Sequence, residues 1–262
     1  MADSTLPTNA VNHKDDTLLV RKNNPVVALI KILWLGCWLF FATILVTFPI
    51  LIAGYFTSTG NFAFVLSRIW AWIILSISGA RLKIEGKSKI DKNRTYIIIS
   101  NHQSHFDGPA IAARLGIQFR WVAKQELLKI PIFGNALYGC RNIFIDRRDK
   151  EKAVRSIQEG IDRLPKGVSV VFFAEGTRSE NGKINAFKKG GFAAAIEKGL
   201  PILPITVNGT GKALPKGSLV FNSTHIEIIV GDPIETTGLS LEQLEELMDK
   251  TKEIIVSNFH QI

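Results

Sequence analysis

The residues of this chain best suited to chemistry are a histidine and an aspartate five positions apart, His102 and Asp107. They follow the apolar run at residues 96–100, which predicts a buried strand. Polar side chains after such a strand lie at the carboxyl edge of a sheet, where open α/β folds bind ligands. Because a five-residue step on a straight helix turns two side chains about 140° apart, we place His102 in the turn and Asp107 in the first turn of the next helix. A carboxylate in that position fixes the imidazole as a general base.

Two other interpretations of residues 101–107 stay open. The segment is compatible with a polar turn in which Asn101 or Ser104 caps the following helix. Its spacing H-x-x-H-x-D is also compatible with a metal site. His225 is the one other histidine of the domain that could complete such a site. No second nucleophile is obvious nearby, so we expect the substrate to supply the hydroxyl that reacts.

A second group of candidates consists of basic side chains around a helix breaker. Lys124 and Arg141 flank the segment Pro-Ile-Phe-Gly at residues 131–134, which predicts a helix bent against the sheet. Basic groups at a sheet edge can bind a phosphate, and an arginine does so with two hydrogen bonds. Solvated surface charge is the alternative, which we favour for Arg148.

A third group follows the continuous apolar run at residues 168–173, which predicts a central strand buried on both faces. The next residues are Glu175, Gly176, Thr177 and Arg178. The glycine permits close approach of the backbone to a ligand, the arginine can bind a phosphate, and the glutamate can orient a hydroxyl or hold a basic partner. A salt-bridged loop is the alternative interpretation.

A fourth group lies further along the chain. Two lysines and two glycines occupy residues 188–191, and the segment Gly-Leu-Pro-Ile-Leu-Pro-Ile follows at residues 199–205. Its two prolines bracket a short predicted strand, and Pro204 suits a bulge or a sheet edge.

Taken in order, these four segments resemble the 1-acylglycerol-3-phosphate acyltransferase family, the lysophosphatidic acid acyltransferases. The H-x4-D pair, the lysine-to-arginine segment ending in I-F-I-D-R, the E-G-T-R segment and the proline-containing segment occur in the order of the family, over about residues 80–210. One departure is Ala174, where the family usually has a proline. The apolar N-terminal segments are similar to the two-helix membrane motif of bacterial members.

The resemblance implies transfer of an acyl group from acyl-CoA or acyl carrier protein to the 2-hydroxyl of lysophosphatidic acid. The implied roles are His102 as the base, Asp107 as its partner and Arg178 as the anchor of the phosphate. No metal or cofactor is expected, because the thioester is already activated. Other acceptors stay open: glycerol 3-phosphate, another lysophospholipid or an acylated amino acid lipid. The further residues expected to bind the acceptor or organise its loop are Lys124, Arg141, Glu175, Gly176 and Thr177.

The N-terminal part of the chain predicts a membrane hairpin. Residues 32–67 carry no charge, and the apolar stretch at residues 32–56 exceeds the ~20 residues that span hydrocarbon. A turn at residues 57–61 leads into a second apolar segment at residues 62–79, which contains Arg68. Because a charge at mid-bilayer costs about 2.5–3.5 kcal/mol, we expect this second helix either to pack Arg68 inward or to lie at the interface.

Basic residues flank the predicted hairpin at both ends but are missing from its turn. By the positive-inside rule both ends face the cytoplasm, which predicts a membrane-bound protein whose following domain is cytoplasmic. The resemblance implies that this is the catalytic domain, and that the membrane is a bacterial inner membrane. We divide the chain into a polar tail at residues 1–24, a two-helix membrane motif at 25–79 and an acyltransferase domain at 80–262. The flanking basic residues are Arg21, Lys22, Lys31, Arg81 and Lys83.

From residue 80 onward, apolar runs alternate with segments of helical periodicity. This alternation predicts an α/β domain with a mostly parallel central sheet flanked by helices. The predicted strands are 81–85, 95–100, 118–122, 143–145, 168–173, 202–207 and 225–230. The predicted helices are 107–115, a broken helix at 126–137, 150–164, 190–198 and a last helix that Ser240 begins with a capping box to Gln243.

Composition and motifs exclude several other classes of function. A net charge of +9 indicates an acidic partner such as an anionic lipid or a phosphorylated metabolite. Because the basic residues are scattered, we expect no nucleic acid partner. Cys37 and Cys140 form neither a CxxC motif nor a disulfide framework. An esterase or thioesterase would need a nucleophile such as the serine of G-x-S-x-G, which is absent. A non-catalytic membrane-surface binding protein and a metal hydrolase are the remaining rivals.

Overall fold

The computed structural model of the protein describes residues 24–179 and 182–260, so the predicted polar tail lies outside the described residues except for Asn24. The helices of the described part are α1 Pro25–Phe56, α2 Asn61–Ile77, α3 Asp107–Arg114, α4 Phe133–Gly139, α5 Lys150–Asp162, α6 Gly190–Lys198, α7 Thr210–Ala213 and α8 Leu244–Ser257. The strands are β1 Arg81–Glu85, β2 Ile97–Ser100, β3 Phe119–Lys124, β4 Ile143–Ile145, β5 Ser169–Phe173, β6 Ile202–Asn208 and β7 His225–Val230.

Within the described residues the strands form one seven-stranded sheet in the order β1-β7-β6-β2-β5-β3-β4. Every pair of neighbours is parallel except β6 and β7. This confirms the predicted mostly parallel α/β sheet. The register places Ser100 of β2 opposite Phe173 of β5 and Ile205 of β6. The carboxyl ends of three adjacent strands therefore lie at one edge of the sheet.

The continuous apolar strands arise because both faces of the sheet are covered. All four residues of β2 are buried, and successive side chains of a strand point to opposite faces. Ile98 packs in the cluster that contains residues of α2 and α3, whereas Ile97 and Ile99 pack in the cluster formed with α5, α6 and α8. The helical layers therefore hold the carboxyl edge of the sheet rigidly from both sides.

The helix predicted at residues 126–137 is broken, as Pro131 indicated. A 3₁₀ helix at Gln125–Lys129 gives way to α4. Ile132 between them has a positive φ of 66°, which is rare for a β-branched residue. The last helix begins with the expected capping box between Ser240 and Gln243.

The two N-terminal helices form a hairpin, and α1 is more exposed than α2. Within the described residues, α1 is the one helix that is long and apolar enough, by length and composition, to cross a membrane. Large apolar side chains are exposed along it. The shorter α2 packs against α3 of the sheet domain and buries Phe64, Ile74 and Leu75. The guanidinium of Arg68 donates from Nε to the carbonyl oxygen of Ala112 at 3.1 Å. Arg68 is therefore packed inward against α3, as the first of its two alternatives predicts.

A buried arginine fastens the turn of this hairpin to the sheet. Arg120 of β3 has no exposed surface, and its Nη2 donates to the carbonyl oxygen of Thr59 at 2.8 Å and to Oδ1 of Asn61 at 2.6 Å. Its guanidinium also lies 5.4 Å from the ring centroid of Phe64. Burial lowers the pKa of Arg120 to about 10, so the side chain stays charged at neutral pH. These contacts set the position of the hairpin relative to the sheet.

We expect the substitution Arg120→Met to loosen the hairpin turn. Hydrogen bonds from a charged donor contribute about 1.5–3 kcal/mol each, so the variant should melt at a lower temperature in detergent, and proteolysis near residues 57–61 should increase. The exposed Arg155→Met on α5 is the matched control. A melting temperature and a protease protection equal to those of the control would show that Arg120 does not hold the turn.

Candidate active site

The carboxyl ends of β6, β2 and β5 each continue into a short polar segment. After β2 comes His102, after β5 comes Glu175, and after β6 comes Thr210. Because these strands are adjacent and parallel, the three side chains approach one another at the sheet edge. This is where open α/β sheets bind their ligands.

His102 and Asp107 form the predicted pair. The Nδ1 atom of His102 lies 2.7 Å from Oδ2 of Asp107, with His102 in the turn and Asp107 as the first residue of α3. The same carboxylate oxygen accepts the backbone N–H groups of Gln103 at 2.6 Å and Ser104 at 2.8 Å. Its other oxygen accepts the hydroxyl of Thr210. Asp107 itself has no exposed surface.

This geometry fixes which nitrogen of His102 is basic. An ionised carboxylate can only accept hydrogen bonds, so Nδ1 of His102 carries the proton and Nε2 keeps the free lone pair. The start of α3 adds a partial positive charge beside Asp107. The pair therefore has the arrangement of a general base with its tautomer set.

The helix-capping interpretation of this turn is wrong: α3 starts after Phe106 and has no side-chain cap. The hydroxyl of Ser104 accepts the backbone N–H of Phe106 at 3.2 Å and donates to the carbonyl oxygen of Leu214 at 2.7 Å. The amide of Asn101 donates to the carbonyl oxygen of Val207 and accepts its N–H, at 2.9 and 2.8 Å. Both side chains thus tie the histidine turn to β6 and to the segment after α7.

Glu175 is buried, and it holds two backbone segments together. Its Oε1 accepts the backbone N–H of His102 at 2.7 Å, and its Oε2 accepts that of Asn185 at 2.8 Å. Of the two roles expected for Glu175, this geometry supports organisation of the loop. At the atypical Ala174, the backbone N–H donates to the carbonyl oxygen of Ser100 at 3.0 Å, a bond that a proline could not make.

The loop after Glu175 lies beside the histidine turn. The backbone N–H of Ser179 donates to the carbonyl oxygen of His102 at 2.9 Å. Arg178 is half-buried, and Lys216 donates to its carbonyl oxygen at 2.8 Å. Gly176 has a positive φ of 71°, which suits glycine, and Thr177 is exposed.

The electrostatics of the turn show that Arg178 acts on it. Partial burial of the ring lowers the pKa of His105, and the positive charge of Arg178 lowers it further, against the opposing effect of Asp107. Arg178 therefore contributes positive potential where the base lies. Among the described residues, no group of three or more His, Cys, Asp or Glu side chains is arranged to hold a metal ion.

The two basic residues of the second segment lie further away. Lys124 ends β3, two strands along from β2, where it is exposed and lies 3.4 Å from Glu126. Arg141 lies against Gly60 in the hairpin turn, and its guanidinium is 5.9 Å from the ring centroid of Tyr138. Within the described residues, neither side chain has a hydrogen bond or ion pair with the His102 turn.

Comparison with known proteins agrees with the motifs. The acyltransferase family profile matches residues 81–208. The 1-acyl-sn-glycerol-3-phosphate acyltransferase of Pseudomonas aeruginosa is 31% identical over 186 residues, which cover 71% of this chain and 71% of that protein. The chain belongs to the acyltransferase family.

Another relative and a solved structure extend this result. The chloroplastic acyltransferase LPAT1 of Arabidopsis thaliana is 34% identical over 66% of this chain and 49% of its own length, so the chain spans about half of that relative. The crystal structure of the 1-acyl-sn-glycerophosphate acyltransferase PlsC of Thermotoga maritima matches with a TM-score of 0.73 and 27% identity, covering 88% of this chain and 93% of that one. This confirms the predicted family and fold.

Sequence reasoning missed three residues of this candidate site. Thr210 supports Asp107, Phe173 stacks on the ring of His102 with centroids 4.0 Å apart, and Arg147 donates to the carbonyl oxygen of Gly176. A signal for Thr210 was present in the segment Asn-Gly-Thr-Gly at residues 208–211, because polar and glycine residues there directly follow a buried strand. No pattern in the sequence identified Phe173, since apolar side chains at a strand end usually belong to the core.

We expect Asp107→Asn to lower kcat by about 10²–10⁴, because an amide can donate to Nδ1 and so stabilise the wrong tautomer of His102. Asp162→Asn, an exposed aspartate of α5 that pairs with Lys198, is the matched control. Acyl transfer by the purified protein in detergent measures both. An Asp107→Asn variant as active as the control would exclude Asp107 from orienting the base.

Proposed function

We propose that this acyltransferase transfers an acyl group from a thioester donor, acyl-CoA or acyl carrier protein, to the 2-hydroxyl of 1-acyl-sn-glycerol 3-phosphate, giving phosphatidic acid for phospholipid synthesis. The observation that carries the proposal is the His102–Asp107 pair, with its Nδ1–Oδ2 distance of 2.7 Å, at the ligand-binding edge of the sheet. The acceptor is suggested by the relatives from Pseudomonas aeruginosa and Arabidopsis thaliana, which are named for it.

In the proposed reaction, Nε2 of His102 removes the proton of the acceptor hydroxyl while its oxygen attacks the carbonyl carbon of the thioester. Asp107 stabilises the imidazolium that forms. The tetrahedral intermediate then collapses, the carbon–sulfur bond breaks, and the imidazolium returns its proton to the departing thiolate. General-base catalysis of this kind contributes about 10²–10⁴ in rate.

The nucleophile of the reaction is the substrate rather than the protein. Burial raises the pKa of the Cys140 thiol to about 11, so that thiol stays protonated and unreactive at neutral pH. The buried hydroxyl of Ser104 next to the pair already donates to the carbonyl oxygen of Leu214. These two groups are therefore unsuited to form an acyl-enzyme, and direct transfer to the bound alcohol fits the site better. Because the thioester is already activated, the proposed reaction needs no metal or cofactor.

A phosphate on the acceptor suits the charges around the pair. Arg178 lies on the loop that bonds to the carbonyl oxygen of His102 through Ser179, and Lys216 contacts the same loop. A guanidinium can bind a phosphate through two parallel hydrogen bonds. We propose that Arg178 holds the phosphate with the backbone of Gly176 and Thr177 nearby, and that Lys124 and Arg141 contribute at longer range.

The lipid substrates are consistent with membrane association through the hairpin. Exposed aromatic side chains on α1 include Trp34, Phe41 and Phe48, and aromatic side chains are common where proteins meet the membrane interface. The buried face of α2 and the inward Arg68 keep the catalytic edge close to α1. We propose that the hairpin holds the domain on the cytoplasmic face of a bacterial inner membrane.

We expect His102→Ala to lower kcat by at least about 10² with either labelled acyl-CoA or labelled acyl carrier protein as donor, while the fold and the binding to vesicles persist. The matched control is His225→Ala, on an exposed residue at the start of β7. If His102→Ala retained most of the activity, His102 could not be the general base. Release of free fatty acid at full rate without acceptor would instead identify a hydrolase.

We expect Arg178→Ala to weaken the use of lysophosphatidic acid much more than that of a phosphate-free acceptor such as 1-monoacylglycerol, because only the former needs the guanidinium. The rise in KM for the phosphorylated acceptor should be about 10-fold or more, as for the loss of a charged hydrogen bond. Arg148→Ala, an exposed residue paired with Asp146, is the control. Equal losses of activity with both acceptors would contradict the role of Arg178 as the anchor of the phosphate.

A further inference from the structure

The imidazole of His102 is stacked on an aromatic ring that none of the four motifs assigns to the chemistry. The ring centroids of His102 and Phe173 are 4.0 Å apart, and their planes differ by 14°. Phe173 is the last residue of β5 and is half-buried. Its other face meets the indole of Trp121, with centroids 5.5 Å apart and planes 13° apart. Phe173 thus lies between the catalytic imidazole and a second fixed ring.

Further rings hold this stack in place. Phe119 contacts Trp121 edge-on, with centroids 4.9 Å apart, and Phe64 of α2 contacts Phe119 edge-on at 4.6 Å. Phe64 and Phe119 are fully buried. Since edge-on and stacked pairs are favourable geometries for aromatic rings, a continuous run of rings supports Phe173 from the hairpin side. The position of Phe173 is therefore set by the packed rings of the core.

The face of a phenyl ring carries negative electrostatic potential, and it attracts a cation placed over it. When His102 removes a proton from the acceptor, its imidazole becomes a cation directly over the face of Phe173. The hydrogen bond to Asp107 acts in the plane of the imidazole, at Nδ1, whereas the stack acts on its face. The two contacts therefore restrict different motions of the ring and stabilise the same charged state.

We propose that Phe173 is a positioning residue for the transfer reaction: it holds the plane of the His102 ring and stabilises its protonated form in the transition state. The inference rests on the proposed function, in which His102 is the base. Phe173, the last residue of β5 before the Ala-Glu-Gly-Thr-Arg segment, thereby has a role in the chemistry of His102.

Other charges around His102 would remain unchanged in a Phe173 variant. The face away from Phe173 and the ring edges are surrounded by the turn, α3, the loop after β5 and the segment after α7. On these elements and on α7, the charged and titratable groups within the described residues are His105, Asp107, Arg114, Glu175, Arg178, Lys183, Lys188, Lys189, Lys212 and Lys216. A change that appears on substitution of Phe173 alone can thus be assigned to the stack.

We expect Phe173→Leu to lower kcat by about 3- to 30-fold, the range that a cation–π contact supplies, with little change in KM for donor or acceptor. Without the ring, the imidazolium is less stable, so His102 loses its proton at lower pH, and the acidic limb of the kcat profile should move to lower pH. Phe173→Tyr keeps an aromatic face and should restore both properties.

The matched control is Phe172→Leu, the same substitution one position earlier on the same strand. Phe172 points to the opposite face of the sheet and packs in the cluster formed with α5, α6 and α8. The Phe172→Leu variant should be less stable, but the acidic limb of its kcat profile should stay where it is in the wild type. The proposal would be overturned if Phe173→Leu kept the acidic limb of the wild type and lost no more kcat than Phe172→Leu.

A titration independent of turnover separates this inference from the proposed function. In a ¹³C-histidine-labelled protein the signals of His102 are identified by their loss in His102→Gln, and the stack should shift its ring protons upfield. In Phe173→Leu that shift should disappear, and the titration midpoint of His102 should fall relative to the wild type. An unchanged shift and midpoint would disprove the stack, whereas an active His102→Ala variant would disprove the base.

Discussion

The buried carboxylate of Asp107 is the interaction on which the rest of the site depends. A charge without exposed surface is tolerated only when it is fully hydrogen-bonded, and Asp107 meets this condition through His102, two backbone N–H groups and Thr210. These donors come from the turn after β2 and from the start of α7 after β6. Asp107 can therefore be buried only when adjacent strands end in register, so the sheet and the catalytic pair are parts of one arrangement.

Glu175 has the complementary role on the other side of the histidine turn. It uses both oxygens on backbone N–H groups, one of which belongs to His102 itself. Asp107 thus fixes the side chain of His102, while Glu175 fixes its main chain. This division explains how two acidic residues can lie beside one base without both acting in the chemistry. Arg178, on the loop that follows Glu175, is half-buried beside the histidine turn.

Local sequence patterns predicted the mostly parallel sheet, the order of strands and helices along the chain and the His102–Asp107 pair, because buried strands and polar strand ends have strong local signals. The position of Arg141 could not be predicted, since its packing against Gly60 depends on how the hairpin docks. Arg120 was missed for the same reason: an arginine within a short strand gives no sign that it reaches Thr59 and Asn61. Contacts between segments far apart in sequence, including the stack of Phe173 on His102, follow from tertiary packing alone.

The central claim is that Nε2 of His102 receives the proton of the acceptor hydroxyl. The most direct test is a structure of the protein in lipid bicelles with a lysophosphatidic acid and a non-hydrolysable thioester analogue bound. The account predicts the 2-hydroxyl oxygen within about 2.6–3.2 Å of Nε2, the reach of a general base, and the phosphate at the guanidinium of Arg178. A bound acceptor whose hydroxyl lies away from His102, or whose phosphate lies on the far side of the pair from Arg178, would contradict it.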